Sequence, residues 1–144
     1  MANAQKMSIT LAPSAAAEIA ARRARGGNNS GVISATIDRY AAVLAEARRT
    51  LRDKLRVAEV SACLDALNGY LTIEPRTVAL VSAEIRDAIL GDDLGPKWGI
   101  DPDTLIATLD GLTFAEQMSL VDAAERWWMR VGAGENPEPR EALR

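Results

Sequence analysis

The chain has 144 residues, 48% of them hydrophobic and 26% charged, the size and balance of one soluble domain or of two small modules. Histidine is absent and Cys63 is the single cysteine, which removes Ser–His and Cys–His catalysis, histidine-held metals and any intrachain disulfide. The formal charge of −3 hides an asymmetry: residues 1–56 carry ten basic against four acidic side chains, net +6, and residues 57–144 carry seven against sixteen, net −9.

Residues 1–5 read as a loose arm. The opening MANAQKMSITL lacks a charged-then-apolar leader, so a cleaved secretion signal is not expected. With a lone cysteine, the expected location is the cytoplasm. Lys6-Met7-Ser8-Ile9-Thr10-Leu11 then alternates polar and apolar, the period of a strand with one buried face. Met7, Ile9 and Leu11 point one way and Lys6, Ser8 and Thr10 the other. One short strand cannot stand alone, and the simplest partner is its own copy in a second chain.

A first helix begins at Pro13-Ser14, where proline is tolerated in an opening turn, and runs through AAAEIAARRAR to Gly26-Gly27. Ile19 is its one large core candidate. Asn28, Asn29 and Ser30 are successive N-cap candidates for a second helix. In it, Ile33, Ile37, Tyr40, Leu44, Ala47 and Leu51 recur at alternating spacings of 4 and 3, one apolar stripe. With Leu55, Ala58 and Ala62 continuing the pattern, no glycine or proline breaks this helix before Gly69. The stripe serves either the core of one chain or a helix packed across a dimer. Spacing alone does not separate the two.

The acidic half reads as further helices. One runs from Pro75 to Gly91 with Val78, Val81, Ile85 and Ile89 inside; Asp101 before Pro102 opens another, closed by Gly111. Thr113-Phe114-Ala115-Glu116 is a capping-box pattern that opens a helix with Phe114, Met118, Val121 and Trp128 on one face, ending near Gly132. Trp127 and Trp128 point about 100° apart on such a helix, so one is expected in the core and the other partly exposed or at an interface. Asp92, Asp93, Asp101 and Asp103 lack calcium-loop spacing and read as caps and solvated charge, so no metal is expected. Cys63 reads as a small buried hydrophobe. The tail GAGENPEPREALR is polar and interrupted by glycine and proline, hence read as flexible. No run approaches the roughly 20 apolar residues of a membrane span.

The order of an alternating strand, a helix, a Gly-Asn turn and a striped second helix, over residues 5–45 or so, resembles the ribbon-helix-helix DNA-binding family of the MetJ and Arc type. Its best part is Asn28-Asn29-Ser30-Gly31-Val32-Ile33-Ser34-Ala35-Thr36-Ile37-Asp38-Arg39-Tyr40. The resemblance implies two interlocked chains with one antiparallel ribbon. Met7, Ile9, Leu11, Ile33 and Ile37 would form the dimer core. Lys6, Ser8 and Thr10 would meet base edges in the major groove of a palindromic duplex. Free N–H groups at the start of the second helix make Asn29, Ser30 and Gly31 candidate phosphate contacts, although Asn29 or Ser30 serves equally as a simple cap.

The expectation is therefore a mainly α chain: a ribbon-helix-helix module of one short strand and two helices at 1–50, an acidic helical domain at 51–131, and a flexible tail at 132–144. As a function, the reading is a sequence-specific DNA-binding transcriptional regulator, a repressor acting as a homodimer. The alternative is a protein-binding inhibitor, an antitoxin or phage-type antagonist, whose acidic half covers a basic surface on its target. Glycine-loop, nucleophile–base and metal-ligand patterns are all lacking, so neither a cofactor nor an enzymatic activity is expected.

Overall fold

The computed structural model describes residues 11, 13–24, 26–68, 86–91 and 94–144, and every regular element among them is helical. The chain divides into two units, Met1–Ala41 and Ala42–Arg144. The division falls inside the second helix, earlier in the chain than the composition suggests.

In the first unit, α1 spans Pro13–Arg23. Its alanines, with Glu18 and Arg22 pairing one turn apart at 2.6 Å, favour a helix that needs little packing. Gly26 and Gly27 follow at φ 104° and 122°, left-handed values that a side chain resists. They reverse the chain into α2, Asn29–Lys54. Asn28 provides the cap: its Oδ1 accepts the Gly31 N–H at 2.7 Å. None of the described residues of this unit is buried.

The second unit has a true core. It contains the end of α2, then α3 (Val57–Leu67), helical residues 86–91, α4 (Leu94–Trp98), α5 (Pro102–Asp110), α6 (Phe114–Gly132) and a 3-10 turn at Pro139–Glu141. Helix α3 is the central element: eight of its eleven residues are buried, and it packs on α4, α6 and the 3-10 turn. A helix that is apolar over most of its surface belongs inside. Its Leu64 and Leu67 share one core with Leu51, Leu105 and Leu120 of the surrounding elements. Polar groups tie the elements together. Ser119 Oγ donates to the Leu44 carbonyl at 3.0 Å, Trp128 Nε1 to the Leu64 carbonyl at 2.9 Å, and Trp98 Nε1 to Asp65 Oδ2 at 2.8 Å. Arg86 pairs with Asp110.

Several expectations are corrected. The ribbon-helix-helix fold class is not upheld: among the described residues there is no strand, and Leu11, placed in the strand and the dimer core, lies outside any regular element. Lys6, Met7, Ser8, Ile9 and Thr10 fall outside the described residues, as does most of the helix expected from Pro75 to Gly91. The second helix runs past Arg49 but ends at Lys54, so Leu55, Ala58 and Ala62 do not extend it. Arg56 is extended, at φ −75° and ψ 160°, because Glu59 reaches back to accept its N–H at 2.7 Å and starts a new helix. Phe114 opens α6 but faces solvent, 73% exposed. Of the two adjacent tryptophans, Trp127 packs against the core. Both are half-buried and meet edge to face, with centroids 4.6 Å apart. The C-terminal segment is folded back rather than free: Leu143 is 3% exposed and belongs to the core.

Truncating that anchor tests the packing of the tail. Leu143→Ala should lower the unfolding free energy by about 2–3 kcal/mol, the lower part of the range for a buried leucine. Urea denaturation checks it, and a change within about 0.5 kcal/mol, as at an ordinary surface site, would mean the tail is not docked.

Candidate functional site

The described residues of the first unit form a helix pair in which none is buried. Between α1 and α2 runs an open groove of about 550 Å³ lined by Glu18, Ala21 and Arg22 on one side and Val32, Ala35, Thr36 and Arg39 on the other. Thr36 turns its hydroxyl onto the Val32 carbonyl at 2.8 Å, and Arg23 reaches Asn29 Oδ1 at 3.4 Å. The Thr36 bond lies within α2, whereas the Arg23 contact ties the end of α1 to the first turn of α2. The groove walls supply guanidinium groups from both helices.

At 100° per residue, Val32, Ala35, Thr36 and Arg39 occupy one face of α2, while Ile33, Ile37 and Tyr40 occupy the next. This second face is the apolar stripe, and its fate changes along the helix. Leu44, Ala47 and Leu51 are buried. Ile37 is 60% exposed and Tyr40 47%, with Val43 beside them at 53%. A row of large apolar side chains facing water is the usual mark of an interaction surface.

The sequence-predicted residues distribute as follows. Asn29, Ser30 and Gly31 form the exposed first turn of α2, but the Gly31 N–H is already satisfied by Asn28, so a ligand would find the amides of Asn29 and Ser30. Ile33 is half-buried and Ile37 exposed, on one face as the spacing requires. Sequence reasoning passed over Arg22 and Arg39 as site residues. Their positions opposite one another depend on how α1 folds back, and only the local Glu18–Arg22 pair is visible in the order of residues.

Charge elsewhere is structural. Burial raises the Cys63 thiol to about 12, with the nearby Glu59 charge adding to the effect, the wrong direction for a nucleophile. Glu116 behaves oppositely. Its burial alone would raise its pKa, but hydrogen bonds from Lys54, Thr50 and Thr113 outweigh that and hold it at about 2. Lys54 Nζ lies 2.8 Å and the Thr113 N–H 2.8 Å from Oε2, and Thr50 Oγ1 2.7 Å from Oε1. The carboxylate thus caps α6 and pins it to the last turns of α2. Among the described residues no group of histidine, cysteine and carboxylate side chains could hold a metal, and no helix is long and apolar enough to cross a membrane.

No family model, curated protein or solved structure matches the chain.

Because the folded pKa of Glu116 lies below its ordinary 4.5, its contribution is present above about pH 4.5 and lost as pH falls towards about 2. Glu116→Gln should cost about 1–3 kcal/mol at neutral pH, the range for breaking a buried charge-assisted hydrogen bond. The gap from the wild type should close on acidification through that window, as read by denaturation at stepped pH.

Proposed function

We propose that the chain is a homodimeric DNA-binding regulator. Two copies pair along the solvent-facing part of the α2 stripe, and the basic side chains of the α1–α2 pair engage the phosphates of a duplex. The observation that carries this reading is the stripe itself: Ile37 and Tyr40 face water in a unit whose described residues include none that is buried. A helix pair without an interior is marginal alone and gains its missing burial from a partner. A second copy is the partner always at hand, and it meets the stripe with the same spacing.

Charge supports the second half of the reading. Residues 1–41 hold five basic and two acidic side chains, and residues 42–144 hold twelve and eighteen. The basic excess is concentrated in the unit with no buried residue among those described, with Arg22, Arg23 and Arg39 exposed there. The first turn of α2, with the amides of Asn29 and Ser30, adds a second place for a phosphate. Palindromic duplexes suit a two-fold dimer.

Fluorescence anisotropy with labelled duplex DNA tests this. Binding by the full chain should weaken steeply with salt, with log K falling by about 0.9 per log salt for each phosphate neutralised. Replacing Arg22, Arg23 and Arg39 together with alanine should flatten that slope by two to three such increments. Absence of salt-dependent binding to any duplex would overturn the DNA reading. Capture of a basic protein through residues 86–144 would favour the inhibitor reading instead.

A further inference from the structure

The helix pair of the first unit is arranged inside out. Among its described residues only Ala15, Ile19, Val32 and Ile33 are half-buried, and they mark the line along which α1 and α2 face each other. At about 100° per residue, the groove residues lie to one side of that line on both helices: Glu18 and Arg22 on α1, Ala35 and Arg39 on α2. On the other side α1 presents Ala16 and Ala20, with Ala24 just past its end, and α2 presents Ile37, Tyr40 and Ala41. All six are exposed. The two helices run in opposite directions, so the same sense of rotation around each brings both apolar faces to one side of the pair. Arg23, the charge nearest the alanine face, reaches back to Asn29 Oδ1 at 3.4 Å.

A surface helix ordinarily turns its charges to water and its apolar stripe inward. High helix propensity accounts for the alanines of α1, but not for the placing of Glu18 and Arg22 on the groove side with the alanines left outside. On α2 the uncovered face is also wider than one partner helix covers. Ile33, Ile37 and Tyr40 follow the alternating seam of a two-stranded pair, and Ala41 lies beside it, the pattern of a helix inside a bundle. The two faces are complementary in size. A row of alanines lets a neighbouring helix approach closely and receives large side chains such as Ile37 and Tyr40 between its methyl groups.

We infer that α1 is part of the contact between copies: two helix pairs stack through their apolar sides, so that each α2 meets its twin along the seam and, beside it, the alanine face of the other copy's α1. The partner is a second copy because each pair carries both the large face and the small one, and a two-fold axis lays each on the other. The charged grooves, with Arg22 and Arg39, then stay on the outside, where a duplex reaches them. The inference rests on the homodimer proposed above and adds a second helix to its interface.

Sedimentation equilibrium of the full chain, read as a dimer dissociation constant, tests this. Ala20→Glu and, separately, Ala16→Glu keep a strong helix former in α1 but place a charge in the contact. Each should raise the constant by about tenfold or more, since a charge buried without a partner opposes association. Ala20→Ser is the poorer helix former but stays small, and Ser14→Glu puts the same charge on the groove side of α1. Both should stay within about threefold of the wild type, as at an ordinary surface site. A wild-type dimer that Ala20→Glu and Ala16→Glu leave unchanged would overturn the inference and leave α2 as the sole contact. Equal weakening by Ala20→Ser would trace the loss to helix stability and overturn it too. A wild-type chain that never dimerises would overturn it together with the homodimer itself.

Discussion

The structure depends on one stripe of side chains along α2. From Ile33 to Leu51 the apolar positions recur without interruption, yet only the later ones are covered by their own chain. The same helix is therefore a core element at one end and an unfinished surface at the other. Hydrophobic burial is worth roughly 25 cal/mol per Å², and short helices without it are barely stable in water. The turns of α2 beyond Ala41 are anchored by their packing. The earlier turns, and α1 with them, gain almost nothing from burial within the monomer. Their charge and their exposed isoleucine and tyrosine gain meaning once a second copy is present.

The acidic unit provides the anchor, and it does so with carboxylates placed at helix starts. Glu59 and Glu116 occupy the same position in the first turns of α3 and α6, both are buried, and both accept a backbone N–H three residues earlier. Glu59 creates the break between α2 and α3 and so allows α3 to enter the core. Glu116 binds the end of α2 through Thr50 and Lys54. Each is a buried charge, costly unless fully satisfied. A backbone N–H and the Arg56 guanidinium satisfy Glu59, and a backbone N–H, the Thr50 hydroxyl and the Lys54 ammonium satisfy Glu116.

What the order of residues revealed was mostly local. The Thr113–Glu116 box and the Asp101–Pro102 start are written within four residues, and both stand in the structure as read. The break at Arg56 uses half of that chemistry, Glu59 accepting the Arg56 N–H, and arginine, which has no acceptor to offer the helix, is not among the residues that signal an N-cap, so the apolar stripe running through it carried the reading instead. Leu143 is one large apolar side chain in a polar, proline-broken tail, and it is buried because the 3-10 turn beside it packs on α3. The edge-to-face pairing of Trp127 with Trp128, and the meeting of Arg48 with α6, are products of tertiary packing that no spacing encodes. The strand pattern at Lys6–Leu11 led to a family resemblance that the helical architecture does not support.

The central claim is that two copies of α2 pair through the stripe, and the mass in solution tests it most directly. Sedimentation equilibrium of the full chain should give twice the 15.4 kDa of one chain. Ile37→Glu should return it to a single chain with the acidic unit still folded, since a charge on that face opposes its twin and Ile37 touches no core. A wild-type chain that remains at 15.4 kDa across the accessible concentrations would contradict the account.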